Sequence, residues 1–325
     1  MRRLRPSRCA FALCVFLAAL ASAADNTHDT VARRRPAAET QDGLSPDFKI
    51  NSTVVLVNVT ITGARGQVVT GLQKENFQVF EEKAEQTVRY FSAEDSPVSV
   101  ALVLDFSRSM SHKFAQLQEA VAEFLNTANP EDEFCLIEFR DRAELSVDFT
   151  SVPDHIRNRV ALAKPAGSTA LLDAVSLGLS RMKTARNPRK ALIIVSDGGD
   201  NHSRFTAREV ENLARESDVA IYTIGIVDDA EQSLAEFEAT RGASLLEEIS
   251  QQGGGHYYGI DKLRDLPEIA ARIGRELRHQ YVLGYISTNP GRDGKYRRVQ
   301  VKLVRFPGQP RLWADWRHGY YAPVD

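Results

Sequence analysis

Between residues 98 and 280, short and largely apolar runs alternate with stretches of helical period, and this pattern constrains the fold more than any other feature of the chain. The apolar runs are 98–104, 133–139, 191–195 and 219–226. Strands this apolar need cover on both faces, which is the situation of a parallel sheet between layers of helices. Phe114, Leu117, Val121, Phe124 and Leu125 recur at the spacing of one helix face within 113–128, and Leu171, Leu172, Val175, Leu179 and Met182 do so within 170–183. A last amphipathic helix is predicted over 266–277, whereas the polar, acidic stretch 228–244 reads as a surface loop or irregular helix. The expected core is therefore a doubly wound, Rossmann-like α/β unit over residues 97–280 with a mainly parallel sheet.

The flanks follow a different period. Val55, Val57, Val59 and Ile61 alternate with Val54, Leu56, Asn58 and Thr60, and 77–80 and 87–91 give two further short strands, with 81–85 as a charged turn between them. Period two returns in 281–286 and 299–303 around a turn at 289–294, which reads as hairpin chemistry. Isolated hairpins are marginal in water. The β segments 47–96 and 281–325 are thus expected to pair into one small antiparallel sandwich with the α/β unit inserted; independent β modules at each end are the alternative.

At the start of the chain, four arginines within residues 1–8 precede an apolar run over 9–21. That run falls short of the roughly 20 residues a membrane-spanning helix needs, and Ala21-Ser22-Ala23 supplies a small-x-small cleavage pattern. Residues 1–23 are read as a signal peptide of an exported protein, periplasmic, extracellular or envelope-associated, with an uncleaved anchor as the alternative; no later stretch approaches transmembrane length. Residues 24–46 are polar and aperiodic, a disordered linker. Cys9 and Cys14 leave with the signal, so Cys135 stands alone in Phe134-Cys135-Leu136-Ile137 as a small core residue. The chain holds 41 Lys and Arg against 43 Asp and Glu, a net charge of −2, and loss of the four arginines takes it to −6. That balance gives no electrostatic basis for binding nucleic acid.

The chemistry-bearing segments fall at the ends of apolar strands. Leu102-Val103-Leu104 runs directly into Asp105-Phe106-Ser107-Arg108-Ser109, Gly167-Ser168-Thr169 opens the second major helix, and Ile193-Ile194-Val195 ends in Ser196-Asp197-Gly198. The carboxyl edge of an open α/β sheet is where ligands bind. Carboxylates and hydroxyls gathered there form a hard, all-oxygen set suited to Mg²⁺ or another hard divalent ion. Taken singly, Ser168 or Thr169 is an ordinary helix cap and Asp197-Gly198 a common turn; the order of the three segments is what sets the chain apart.

These segments resemble the metal-ion-dependent adhesion site of von Willebrand factor type A domains, and the resemblance covers about residues 97–280. It implies that Ser107, Ser109 and Thr169 ligate an ion by hydroxyl oxygen while Asp105 and Asp197 act directly or through water. Asp132-Glu133-Phe134, Leu172-Asp173-Ala174 and the segment from Gln252 to Tyr258 fit the same family. The flanking segments 69–72, 76–81 and 281–285 resemble a subgroup of exported type A proteins described mainly from acidobacteria. Mg²⁺ is the expected ion, with Mn²⁺ and Ca²⁺ as alternatives. The expected partner is a protein offering an Asp or Glu carboxylate to complete the coordination sphere, with Arg108, His112, Asp200, Asn201 and His202 at the rim.

The residues favour binding over catalysis. A Mg²⁺-dependent phosphohydrolase would need a second carboxylate close to its nucleophilic aspartate, and Phe106-Ser107 stands where Asp-x-Asp would supply it. No Gly-x-Ser-x-Gly elbow and no His-Glu-x-x-His pair occurs, and Gly253-Gly254-Gly255 lacks the frame of a phosphate loop. A third expectation is an ion that only braces the sheet edge while the β module docks to an envelope assembly. In that case Trp313, Trp316, Tyr320 and Tyr321 would form either a contact patch or the anchor of the last strands.

Overall fold

A computed structural model describes residues 54–197, 199–226, 233–304 and 311–324; the expected signal peptide and linker lie outside the described residues. In chain order the elements are β1 (Val54–Gly63), β2 (Phe77–Glu81), β3 (Ala84–Gln86), β4 (Val88–Ser92), β5 (Val98–Asp105), α1 (Phe114–Asn126), β6 (Glu133–Phe139), β7 (Ala143–Thr150), α2 (Pro153–Leu162), α3 (Leu171–Met182) and β8 (Arg189–Ser196). There follow α4 (Ala207–Glu216), β9 (Ala220–Ile226), α5 (Ser233–Gln252), β10 (Tyr257–Ile260), α6 (Leu266–Arg278), β11 (Tyr281–Ile286), β12 (Tyr296–Leu303), β13 (Leu312–Trp316) and β14 (Gly319–Tyr321).

The apolar runs form a six-stranded sheet in the order β10-β9-β8-β5-β6-β7, parallel throughout except for β7, which pairs antiparallel with β6 at the edge. Every residue of β5 is buried, because both of its faces are covered. Val98, Val100, Leu102 and Leu104 pack with Leu117, Val121 and Phe124 of α1 and with Ile273 and Leu277 of α6. Ala101 and Val103 point the other way, onto Leu171, Val175 and Leu179 of α3, Val210 of α4, and Leu246 and Ile249 of α5. This is the mixed α/β architecture expected from the sequence, with helices on both faces of a mostly parallel sheet.

Three elements of this unit are absent from the sequence reading, and one helix extends beyond it. Residues 233–252 form a single helix, so of the two readings of 228–244, surface loop or irregular helix, the described part takes the helical one, and the helix continues beyond that stretch to Gln252. Among its described side chains, Leu246 and Ile249 pack into the core, and its sequence is mainly polar with little apolar period. β7 is a half-buried edge strand, and α2 begins with Pro153 in its first turn. α4 starts at a reciprocal cap: Thr206 Oγ1 accepts from Glu209 N (3.4 Å) and Glu209 Oε2 accepts from Thr206 N (2.8 Å).

The remaining strands form two antiparallel four-stranded sheets, ordered β13-β1-β11-β4 and β14-β12-β2-β3. They share a core of Val57, Val59, Ile61, Phe77, Val79, Tyr281, Leu283, Tyr285, Val299 and Val301, so residues from both ends of the chain are packed together. The turn between β2 and β3 needs only Glu82 and Lys83, whose φ angles of 46° and 76° match a two-residue hairpin turn; Ala84 and Glu85, expected in a charged turn, are strand. The expected hairpin of 281–286 with 299–303 does not form either. Both edges of β11 are taken, by β1 and β4, and β12 lies in the opposite sheet between β14 and β2. Buried Glu81 holds this crossing between layers, accepting from Tyr285 Oη (2.8 Å), Ser287 Oγ (2.5 Å) and Tyr320 Oη (2.9 Å).

The chain enters the α/β unit just before β5 and leaves it just after α6. Buried Arg189, at the start of β8, joins these two points through one guanidinium nitrogen, which donates to the carbonyl oxygens of Glu94 and Gln280 at 3.1 Å each.

Candidate metal centre

β5 and β8 lie side by side, and the chain leaves them toward opposite edges of the sheet: β6 follows β5 on one side and β9 follows β8 on the other. A crevice opens at the carboxyl ends of such a strand pair. Asp105 is the last residue of β5, and Asp197 directly follows Ser196, the last residue of β8.

Asp105 is fully buried, and each of its oxygens is held: Oδ1 accepts from Ser107 N at 2.8 Å, and Oδ2 accepts from Ser196 Oγ at 2.6 Å. From there a series of oxygens leads outward. Ser107 Oγ lies 2.9 Å from Ser109 Oγ, and Ser109 Oγ donates to Asp197 Oδ1 at 3.1 Å. Ser107 is buried whereas Ser109 is exposed, so the series runs from the interior to the surface. Phe106, between the two polar positions, points into the core and packs edge-on against Phe114 with ring centroids 5.0 Å apart. The alternation of Asp-x-Ser-x-Ser thus separates the oxygens from an apolar anchor that fixes the loop.

Thr169 is brought to the same edge by a loop held at almost every residue. Ala166 N donates to Phe106 O (2.8 Å) and Arg108 N to Gly167 O (3.2 Å), which ties the loop directly to the Asp105 turn. Ser168 N donates to Asp141 Oδ1 (2.8 Å), Thr169 N to Asn201 Oδ1 (2.9 Å) and Ala170 N to Arg140 O (2.9 Å). Gly167 has φ +82°, and the Asp141 carboxylate sits 2.6 Å from where a Cβ would be, so glycine is required there twice over.

Of the expected rim residues, Arg108, His112 and His202 are exposed. Asp200 is half-buried and Asn201 is exposed, and the side chains of both bond to the backbone of the Thr169 segment. Asp200 Oδ1 accepts from Leu172 N (3.3 Å) and Ser203 Oγ (2.6 Å), and Asn201 carries the Thr169 amide. Both act as props for the loop. Sequence reasoning also passed over Ser196, Asp141 and Lys113. The last is buried, and its Nζ lies 2.9 Å from Asp197 Oδ2.

Burial, and after it the negative charge of Asp197, pushes the Asp105 carboxyl up from 3.8 to about 6, against the hydrogen bonds from Ser107 and Ser196 that favour its ionised form. A buried carboxyl, a second carboxylate beside it and the accompanying hydroxyl oxygens fit a hard divalent cation and offer nothing to a soft one. Among the described residues no three His, Cys, Asp or Glu side chains gather in a ligating group, so a cation here would depend on the serine and threonine hydroxyls.

Residues 100–199 match the family model described as von Willebrand factor type A domain. An uncharacterised protein of Borreliella burgdorferi is 24% identical over 183 residues, 50% of this chain and 53% of that protein, so the chain spans about half the length of the curated relative it matches. Among solved structures, a von Willebrand factor type A protein from Catenulispora acidiphila is 14% identical with a TM-score of 0.50, covering 85% of this chain and 75% of that one. The vWF domain of the type V pili tip protein Mfa5 from Porphyromonas gingivalis is 15% identical with a TM-score of 0.45, covering 56% of this chain and 95% of that one. At such identities the likeness is one of fold. The matched span runs from β5 to the loop beyond β8, the two strands that carry Asp105 and Asp197, and the α/β unit of this chain has the von Willebrand factor type A fold.

Proposed function

We propose that the chain is an exported, non-catalytic binding protein whose type A domain recognises an acidic side chain of a protein partner through a divalent cation, Mg²⁺ in the first instance. The observation that carries this proposal is the hydrogen-bonded series Asp105–Ser107–Ser109–Asp197, buried at Asp105 and Ser107 and reaching the surface at Ser109. Ser107, Ser109 and Thr169 would hold the ion by their hydroxyls, with Asp105 and Asp197 balancing its charge. The ion would supply a Lewis-acidic site for a partner carboxylate, and Arg108, His112 and His202, all exposed, are the proposed rim, where polar and charged groups tune encounter and selectivity more than affinity.

Export is proposed from the arginine-rich, apolar start of the chain. No helix among the described residues is long and apolar enough to cross a membrane. A binding role fits the loop chemistry better than hydrolysis does, because the position after Asp105 is spent on a core phenylalanine and the next on a hydroxyl.

Isothermal titration calorimetry with Mg²⁺ tests the ion, using D105A and S109A as controls. Capture of partners from envelope extract in Mg²⁺ and in chelator tests the role. Binding of Mg²⁺ by the wild type alone, with partner capture lost in chelator and in D105A, is the expected result. Partner capture that ignores both chelator and D105A overturns the adhesion mechanism.

A further inference from the structure

Lys113 is placed where the local chemistry of its helix disfavours it. It is the residue before α1, and its side chain caps no helix amide. A positive charge at a helix start also opposes the helix dipole, and serine, threonine or aspartate would serve better there. The residue is nevertheless 3% exposed, and its ammonium lies 2.9 Å from Asp197 Oδ2, with the two side chains 4% and 10% exposed. A buried ammonium is costly unless it is paired, and removing its partner leaves the cost uncompensated. The carboxylate 84 residues away in sequence gives that ammonium an ion-pair partner.

The site therefore has a cation of its own. Asp197 uses Oδ1 for Ser109 and Oδ2 for Lys113, so the outer carboxylate is hydrogen-bonded and charge-balanced by protein groups. A divalent ion at the same carboxylate meets an ammonium of like sign in a poorly solvated place, where screening is weak.

We propose that Lys113 is a tethered competitor for the divalent ion, which keeps Asp197 in place when the ion is absent and lowers the affinity of the site when the ion arrives. The proposal rests on the metal reading of the site and adds a determinant of how tightly and how reversibly the ion is held.

The test compares the wild-type chain with K113M, K113Q and K113R, measuring Mg²⁺ and Mn²⁺ affinity by calorimetry and Tm in chelator. K113M and K113Q are expected to bind either ion about tenfold more tightly or better, the factor that 1.4 kcal/mol represents. K113R is expected to stay near the wild type. In chelator K113M is expected to melt below the wild type, because Asp197 has lost its balancing charge, and Mg²⁺ is expected to raise its Tm by more. Should K113M fail to fold, K113Q keeps a donor to Asp197 without the charge and gives the same measurement. Affinities within twofold of the wild type in a folded K113M or K113Q, or weaker ones, overturn the inference while the metal reading stands. Absence of any ion binding by the folded wild type and the folded variants alike overturns both.

Discussion

Asp105 makes the energetic tension of the site measurable. With its carboxyl pushed up to about 6, the folded chain retains a proton between pH 3.8 and about 6 that the unfolded chain has released. Stability from this group is complete below the unfolded value and is lost as pH rises through 6. In chelator at pH 7.5, D105N is expected to be more stable than the wild type by about 1–3 kcal/mol, and to flatten the pH dependence between 4 and 6. Asparagine can keep both contacts, its Oδ1 accepting from Ser107 N and its amide donating to Ser196 Oγ. Thermal melts at pH 4.5 and 7.5 check this, and an unchanged Tm at pH 7.5 contradicts it. Asp105, Ser107, Ser109, Thr169 and Asp197 stand out in the sequence because local motifs mark them. Ser196 and Lys113 do not, because their roles arise only when β5 and β8 come together, 91 and 84 residues apart along the chain for the two contacts. An odd lysine at a helix start was the one available signal.

The loop that presents Thr169 depends on a backbone conformation as much as on side chains. G167A places a Cβ in the left-handed region and against the Asp141 carboxylate that holds Ser168 N. A destabilisation of about 1–3 kcal/mol in urea unfolding is expected, together with weaker Mg²⁺ binding. Unaltered unfolding would show that the loop tolerates another course. β5, β6, α1 and α3 are plain in the sequence because each is buried on a wide face, which imposes a period on the residues. β7 and α5 are obscure for the opposite reason. The first is an edge strand with half-buried positions, and the second is a 20-residue helix whose mainly polar sequence carries little apolar period.

The two β sheets join chain segments separated by most of the sequence, and that pairing is what period two alone cannot reveal. Alternation marks a strand but carries no information about which sheet it enters, so β11 and β12 read as a hairpin while lying in different layers. Tyr281 shows how firmly the ends are tied. Its hydroxyl donates to Val69 O (3.0 Å) and accepts from Leu72 N (3.1 Å), and its ring centroid lies 5.1 Å from that of Phe77. Y281A is expected to cost about 3–5 kcal/mol. Because residues 51–325 form one compact unit, calorimetry should show a single transition moved to lower temperature. Two separated transitions would mean that the type A domain folds without the sandwich. The strand that ends in Asp105 begins beside the Arg189 clasp, roughly 25 Å away along an extended eight-residue strand. Under the proposed binding role, a pull at the Asp105 end would draw β5 along its own axis, and its parallel ladders to β6 and β8 would resist in shear, all rungs together. The tension would then reach a guanidinium that fastens the incoming connection to the outgoing one, so that both links to the sandwich would share the load.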